Sequence, residues 1–200
     1  MKPHIINKYD NFLSGWYFDN LYLCEQIIEL HKNSKTKSAG RVGQKQIILD
    51  QKNSTDCDLL ESVELYHQYC GELQKCVNEY IKLYPWCNQY SPWKILQQIN
   101  IQHYVIDGGY YSWHSERTAT HMPQSTRHLA FITYLNDVSD NGETEFYHQR
   151  LKIKPEAGLT IIFPCDWTFT HRGIPSPSQE KYIATGWFNY IDNSQVLPLT

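Results

Sequence analysis

The feature of this sequence that most constrains its fold is a change of hydrophobic period near residue 93. Before that point apolar side chains recur at helical spacing, whereas from Ile95 onward they alternate with polar neighbours, as in half-buried strands. Strands are predicted at about 95–106, 110–114, 127–135, 144–147, 151–153, 159–163, 168–171 and 181–190. Helices followed by a run of short strands predict an α+β chain, in which the strands form a sandwich or barrel buttressed by the N-terminal helices.

The first predicted helix covers about residues 20–32. Asp19 can cap its N-terminus, and Leu23, Ile27, Ile28 and His31 recur at the spacing of one helical face. After it, residues 33–46 are rich in Lys, Ser, Gly and Arg and predict a loop, and the apolar triplet at 47–49 predicts a short strand.

A second, longer helix is predicted to begin after Ser54 or Asp56 and to end at Pro85, which continues a helix poorly. Its apolar positions step alternately by four and by three, a repeat that would also suit a coiled-coil seam. Gly71 and the interspersed tyrosines favour a helix packed on a sheet instead.

Size and composition predict one domain over residues 1–200, with a helical part at about 1–92 and a strand-rich core at about 93–192. A formal charge of −3 gives no basic surface for nucleic acid or an anionic membrane. Met1 to Asp10 lack the apolar core of a signal peptide, and no apolar run is long enough to span a membrane, so a soluble cytoplasmic protein is expected. The six cysteines lack CxxC spacing and are expected to be free thiols.

Two histidines and one glutamate are the candidate metal ligands. His114 and Glu116 are separated by one residue at the end of a predicted strand, so both side chains leave the same face and can meet one ion. His171 lies near the end of a later strand. Two imidazoles and a carboxylate leave open positions on Fe(II) for a bidentate cosubstrate and dioxygen, but the same donors also serve catalytic zinc. Roughly one HxD/E pair is expected by chance in such a chain, so the triad alone does not decide.

The sequence motifs around the triad indicate the function more specifically than the triad does. From Ile101 to Tyr190 the chain resembles the catalytic core of the prolyl 4-hydroxylases, within the Fe(II)/2-oxoglutarate-dependent dioxygenases. The matching positions occur in the order of that family: Tyr104, Gly109, Tyr111 and His114; Arg127 and Tyr134 to Asp137; Gly142 to Thr144 and Phe146; Pro155 and Gly158; His171, Gly173 and Pro175; Lys181; and Trp187. The resemblance implies a double-stranded β-helix, or jelly roll, and an enzyme that uses Fe(2+), 2-oxoglutarate and O2, with ascorbate, to hydroxylate an unactivated C–H bond.

The same resemblance makes His114, Glu116 and His171 the iron ligands. Glu116 stands where the family usually has aspartate, and its extra methylene changes how the carboxylate approaches a metal. Asn141 stands where the family usually has glycine, a milder change because asparagine tolerates positive φ well.

Lys181 lies ten residues beyond His171, where the resemblance implies a cation that pairs with the far carboxylate of 2-oxoglutarate. Such a partner is physically sensible, because an unpaired carboxylate inside a barrel would be costly. Tyr134 and Thr144 are implied as hydroxyl donors beside it, and Tyr104 as a further contact to the cosubstrate. The alternative for Lys181 is a solvated lysine at the start of a strand.

Arg127 and Trp187 resemble residues that face a peptide substrate. Residues 117–126 have no clear periodicity and predict a loop at the mouth of the site, with His121 exposed rather than bound to metal. A prolyl residue in a peptide or protein is the expected substrate. Another side chain, a small molecule, a non-catalytic jelly-roll binding module and a zinc hydrolase remain as alternatives, although neither a binding module nor a hydrolase needs both the triad and Lys181.

Overall fold

The computed structural model describes residues 2–4, 11–43 and 46–192. Residues 1 and 5–10, for which no signal peptide was predicted, lie outside these ranges, as do positions 44–45 of the predicted loop. Within the described ranges, no helix combines the length and the apolar character needed to cross a membrane. The helices and strands are, in chain order, β1 (Pro3–His4), β2 (Ser14–Tyr17), α1 (Tyr22–Asn33), β3 (Ser38–Ala39), β4 (Thr55–Asp58), α2 (Val63–Leu83), β5 (Trp93–Ile95), β6 (Asn100–Tyr104), β7 (Arg127–Tyr134), β8 (Thr144–Phe146), β9 (Leu151–Ile153), β10 (Leu159–Pro164), β11 (His171–Gly173) and β12 (Lys181–Tyr190).

The described strands form two antiparallel sheets. The larger sheet has the order β1-β2-β10-β7-β12-β6-β4-β3, with β5 paired to β12, and the smaller has the order β11-β8-β9. The four described strands that precede residue 93 all join the larger sheet. The sheet therefore does not begin at residue 93, where the hydrophobic period of the sequence changes.

Alternation along β7 shows how the layers pack. Leu129 and Phe131 point to one face of the larger sheet, where they join a core cluster with residues of α1 and α2. Ala130, Ile132 and Tyr134 point to the other face and join a second cluster with residues of β8 and β9 in the smaller sheet. The larger sheet is therefore covered by helices on one face and by the smaller sheet on the other, which confirms the predicted α+β jelly roll buttressed by helices.

The first helix was placed correctly within two residues, but its capping residue was not. The N-cap is Leu21, which makes no side-chain hydrogen bond to the helix. Asp19 instead lies 3.0 Å from the ammonium group of Lys75 on α2. The predicted cap is therefore wrong.

The second helix begins later than predicted, at Val63, where the Ser62 side chain accepts a hydrogen bond from the Leu65 amide. Residues 55–58 form β4, which pairs with β6, and this pairing across the sheet outweighs the local helical pattern. The helix ends at Leu83, as Pro85 predicted, and α2 contacts β2 and β10. Packing on a sheet, rather than a coiled coil, is confirmed.

Five predicted strands, β7 to β10 and β12, lie within one residue of their predicted ends. The strand at 47–49 is wrong, and Ile47 and Leu49 are 56% and 60% exposed. The segment 95–106 contains two strands rather than one, 110–114 makes only isolated bridges, and 168–171 begins as a turn of 3₁₀ helix. Because these segments lack a continuous partner strand, their local pattern alone does not make them strands.

Candidate active site

A cavity of about 1200 Å³ opens between the two sheets. It is lined from the larger sheet by β6, β7 and β12 and from the smaller sheet by β8 and β11. Eight of the nine predicted site residues line it, namely Tyr104, His114, Glu116, Arg127, Thr144, His171, Lys181 and Trp187. The ninth, Tyr134, is fully buried behind Thr144.

The structure brings His114, Glu116 and His171 together at one place in this cavity. Each offers one ligand atom, and these atoms all lie within 4.8 Å of one another. Glu116 Oε1 is 3.3 Å from His171 Nε2 and 3.8 Å from His114 Nε2. A backbone bridge fixes the spacing of the two histidines, since the amide of each donates to the carbonyl of the other at 3.0 and 2.8 Å.

Backbone carbonyls set the tautomer of both imidazoles. His114 Nδ1 lies 3.0 Å from the Ser112 carbonyl, and His171 Nδ1 lies 2.9 Å from the Phe169 carbonyl. A carbonyl can only accept, so each Nδ1 donates its proton and Nε2 is the nitrogen available to a metal. Burial, and then the charge of His171, lower the pKa of His114 to about 4, which leaves this imidazole neutral at physiological pH.

Aromatic rings hold the imidazoles in place. Tyr110 stacks on the His114 ring with centroids 3.7 Å apart and an interplanar angle of 11°. The His171 ring lies 5.3 Å from Phe146 and 5.1 Å from Phe163. Neither histidine can rotate freely against these neighbours, so the ligand nitrogens are oriented before any ion arrives.

The Glu116 carboxylate is largely buried and has partners on both oxygens. Oε2 accepts a hydrogen bond of 2.7 Å from the indole Nε1 of Trp187 and lies 3.6 Å from a guanidinium nitrogen of Arg127. Burial raises the pKa of Glu116, but the hydrogen bond with His171 and the neighbouring histidines and Arg127 outweigh it and hold the pKa well below its usual range. The group is therefore an ionised carboxylate.

Arg127 and Trp187 also contact each other. The Arg127 guanidinium lies over the Trp187 ring, 3.5 Å from its centroid. Arg127 further donates to the Glu116 carbonyl at 2.7 Å and to Gln97 Oε1 at 3.3 and 3.2 Å. Sequence reasoning assigned both side chains to the substrate and missed these contacts; the substrate role stays a prediction.

Lys181 lies in the same cavity and is only 4% exposed. Its ammonium group donates to the carbonyls of Gly142 at 2.7 Å and Ile174 at 3.2 Å, and lies 5.2 Å from the centroid of the Tyr104 ring. Within the described part of the chain, no carboxylate lies within 4.0 Å of it. Burial lowers the pKa of Lys181 to about 8, although the charge of Glu143 acts in the opposite direction.

A tight turn supplies one of those carbonyls. Asn141 and Gly142 both have positive φ, 57° and 83°, which confirms that asparagine takes up the backbone conformation expected of the usual glycine. A Cβ on Gly142 would lie 2.7 Å from Val138 Cγ1, so glycine is required there for space as well as for φ.

Hydroxyl groups beside Lys181 have defined directions. The Tyr134 hydroxyl donates to Thr144 Oγ1 at 2.7 Å, so the Thr144 proton is left for a ligand in the cavity. The Tyr104 hydroxyl donates to Gln102 Oε1 at 2.7 Å, so its oxygen can only accept from a ligand.

Two irregular segments border the cavity. Residues 118–121 line it, which confirms the predicted loop at the mouth, and His121 is exposed and outside the histidine–glutamate cluster. On another side it is lined by six residues of the segment 36–43 and by Lys52, which is 3% exposed and pairs with Asp56 at 2.8 Å. The sequence predicts a loop at 33–46 but does not assign it to the site; the four-residue spacing of Lys52 and Asp56 is the signal that could have indicated the ion pair.

These residues fit both a metal ion and an anionic cosubstrate. Two imidazole nitrogens and one carboxylate converge as the 2-His-1-carboxylate donor set typical of Fe(II) oxygenases. Lys181 is a buried cation whose neighbours are neutral carbonyls, so a ligand carboxylate would supply the missing charge.

Comparison with known proteins agrees with this chemistry. Residues 99–189 match the family model of the 2OG-Fe(II) oxygenase superfamily, which implies Fe(2+), 2-oxoglutarate and O2. A predicted prolyl 4-hydroxylase of Acanthamoeba polyphaga mimivirus is 23% identical over 182 residues, which cover 82% of this chain and 68% of the relative. A predicted prolyl 4-hydroxylase of Arabidopsis thaliana is 28% identical over 123 residues, or 50% of this chain and 43% of the relative.

Solved structures extend the similarity to the fold. A Trichoplax adhaerens prolyl hydroxylase, in complex with a peptide fragment of the oxygen degradation domain of hypoxia inducible factor, superposes with a TM-score of 0.72 at 17% identity. The match covers 90% of this chain and 84% of that one. Together these findings show that residues 99–189 are similar to the 2OG-Fe(II) oxygenase domain and that the chain resembles prolyl 4-hydroxylases in sequence and in fold.

Proposed function

We propose that the chain is a 2-oxoglutarate- and Fe(II)-dependent hydroxylase of prolyl residues in a peptide or protein. The observation that carries the proposal is that three convergent metal donors and the buried cation Lys181 line one cavity. The bound iron and cosubstrate would supply the oxidising chemistry, in which 2-oxoglutarate and dioxygen are converted to succinate and carbon dioxide while one oxygen atom enters a C–H bond.

The metal would be held by Nε2 of His114, Nε2 of His171 and Oε1 of Glu116. The carbonyls of Ser112 and Phe169 accept from the Nδ1 atoms, so Nε2 of each histidine is the nitrogen that would bind the ion. The protein thus presents two imidazole donors and one carboxylate, and a divalent ion bound to them would keep positive charge for an anionic cosubstrate.

The cosubstrate would be oriented by the opposite part of the cavity. Lys181 would pair with the far carboxylate of 2-oxoglutarate, and Thr144 would donate its hydroxyl proton to the same group. Tyr134 acts through Thr144 rather than on the ligand, and Tyr104 covers the lysine with its ring. These side chains would exclude water from the paired charges, which strengthens the interaction.

The substrate assignment is supported by the relatives, whose names describe prolyl hydroxylases, and by the peptide bound to the Trichoplax protein. In this chain we assign contacts with an extended peptide to the cavity-facing sides of Arg127 and Trp187 and to the 117–126 loop, which would close over it. The zinc-hydrolase alternative leaves Lys181 without a role.

Three further parts of the proposal rest on the sequence. Ascorbate is proposed as a reductant that keeps the iron divalent, residues 1–200 as a single catalytic domain, and the cytoplasm as its location.

The test is incubation of the protein with Fe(II), 2-oxoglutarate, ascorbate and a panel of proline-containing peptides. Mass spectrometry should find a gain of one oxygen atom on a prolyl residue, with a matching release of succinate. The same peptides with alanine in place of proline are the control and should stay unmodified. Hydroxylation of free proline or of a small metabolite, with no peptide modified, would contradict the peptide assignment.

A further inference from the structure

The two oxygens of Glu116 have different partners. Oε1 lies beside the ligand nitrogens of both histidines, at 3.3 and 3.8 Å. Oε2 accepts the Trp187 indole proton at 2.7 Å and faces Arg127 at 3.6 Å. The carboxylate is thus divided between one oxygen turned to the metal donors and one held by the protein.

The partners of Oε2 are themselves fixed. Arg127 stacks on the Trp187 ring at 3.5 Å, donates to the Glu116 carbonyl at 2.7 Å, and is bonded on its other side to Gln97. The side chain of Arg127 is only 13% exposed, the same fraction as that of Glu116. Gln97, Arg127, Trp187 and Glu116 therefore form one connected chain of contacts that reaches from β12 and β7 to the metal donors.

We infer that Arg127 and Trp187 are positioning residues that hold Glu116 as a ligand through a single oxygen. This inference rests on the proposed metal site. A glutamate has one more rotatable bond than the aspartate usual at this position, and without an anchor its carboxylate would adopt several orientations or turn both oxygens to the ion. The hydrogen bond to Trp187 and the charge of Arg127 remove that freedom, so the longer side chain binds as a shorter one would.

The contacts argue against a role for these groups in substrate binding alone. The indole proton of Trp187 is donated to Glu116, and one face of the ring is covered by a guanidinium. A substrate could touch the edge or the other face, but the polar part of Trp187 is directed to the carboxylate. Loss of that donor should therefore change metal affinity before any substrate is added.

The experiment measures Mn(II) affinity by titration calorimetry and by the electron paramagnetic resonance of bound Mn(II), without 2-oxoglutarate and without peptide. Trp187→Phe keeps the ring and its contact with Arg127 but removes the N–H donor. Arg127→Gln removes the charge and serves as a second variant if Trp187→Phe does not fold. We expect Mn(II) affinity to fall 10–100-fold in Trp187→Phe, as for other groups that orient a metal ligand, with an altered resonance spectrum.

Trp113→Phe is the matched control. Trp113 also carries an arginine over its ring, Arg172 at 4.5 Å, and is next to His114 in the chain, but the indole that bonds to Glu116 is that of Trp187. The Trp113→Phe protein should bind Mn(II) with the same affinity as wild type. Thermal melting of each variant, without metal, separates loss of folding from loss of orientation.

A second arm tests the dependence on glutamate. In Glu116→Asp the carboxylate is withdrawn by one methylene and can no longer reach both Trp187 and the metal donors, so adding Trp187→Phe should cost less than threefold in Mn(II) affinity. An equal effect of Trp187→Phe in both backgrounds would contradict the inference. A Trp187→Phe protein that binds Mn(II) like wild type would also contradict it. If that protein differed only by a higher KM for peptide, Trp187 would be a substrate-binding residue instead. A wild-type protein that binds no Mn(II) would instead contradict the proposed metal site itself.

Discussion

Glu116 and Lys181 both carry a charge into the same cavity, but the carboxylate of Glu116 is surrounded by charged and hydrogen-bonding side chains, whereas the contacts of the Lys181 ammonium group within the described residues are carbonyl oxygens and a ring. The metal-binding end of the cavity, around Glu116, is organised in advance, because the groups that orient its metal-ligating atoms all belong to the protein. The second end is electrostatically incomplete in the described structure. Under the proposed function, the protein supplies its three metal donors already in place, and the charge of the cosubstrate would complete the lysine end.

The largest expected effect comes from the incomplete end. Lys181→Met removes the cation and keeps much of the volume, so the far carboxylate of 2-oxoglutarate would be buried without a partner. We expect binding of 2-oxoglutarate, measured by calorimetry with Mn(II), to weaken by about 3–5 kcal/mol. Lys152→Met, at a lysine whose side chain is 56% exposed, is the control and should leave the affinity unchanged. A change below threefold in Lys181→Met would mean that this lysine does not meet the cosubstrate.

The organised end is tested by shortening Glu116. Glu116→Ala deletes the anionic ligand and should lower Fe(II) affinity or turnover by at least about 10–100-fold. Glu116→Asp keeps a carboxylate but loses the contacts fitted to glutamate, so partial activity is expected. Turnover of 2-oxoglutarate at saturating iron gives the comparison, with Glu145→Ala, whose carboxylate pairs with Arg172, as control. Equal turnover of wild type and Glu116→Ala would remove Glu116 from the ligand set.

The affinity for 2-oxoglutarate should depend on pH through the lysine end of the cavity. Burial lowers the pKa of Lys181 to about 8, so its charge is present below that pH and is lost as the pH rises through it. A bound carboxylate favours the charged form, so the affinity for 2-oxoglutarate should be highest below pH 8 and fall by about tenfold between pH 7 and pH 9. Lys181→Arg keeps its charge over this range and should show a flat profile, whatever its absolute affinity. The same slope in both proteins would place the titrating group elsewhere.

The smallest effect is expected at Tyr134, which reaches the ligand only through Thr144. Tyr134→Phe removes one buried hydrogen bond and should cost about 0.5–1.5 kcal/mol in the free energy of unfolding or of 2-oxoglutarate binding. Thr144→Val removes the group that we place on the ligand and should weaken 2-oxoglutarate binding more than Tyr134→Phe does. The reverse order, measured by calorimetry, would show that Tyr134 contacts the cosubstrate directly.

The strand-rich part of the fold could be predicted from the sequence because its pattern is local. In β7 the alternation of Leu129 to Tyr134 is the same alternation that divides the two core clusters. The first half was harder, because β4 is a strand only through its pairing with β6, and no periodicity in residues 55–58 reveals a partner some forty residues away. The apolar triplet at 47–49 misled for the same reason, since it has no partner strand in the structure.

The candidate site shows the same division. The HxE spacing predicted that His114 and Glu116 share a site, and the order of motifs in the resembled family added His171 and Lys181. The structure places all four in one cavity. The directions of hydrogen bonds could not be predicted, because they depend on which side chains meet across the sheet. The contact of Trp187 with Glu116, and the donation of the Tyr104 proton to Gln102, are of this kind.

Binding of 2-oxoglutarate should require both ends of the cavity at once, the metal donors and Lys181. Calorimetry should detect binding of 2-oxoglutarate to the wild-type protein only when Fe(II) or Mn(II) is present, and His171→Ala should abolish that binding although its Lys181 is intact. Equal binding of 2-oxoglutarate without metal, or undiminished binding to His171→Ala with metal, would contradict the joint role of the donor triad and the lysine.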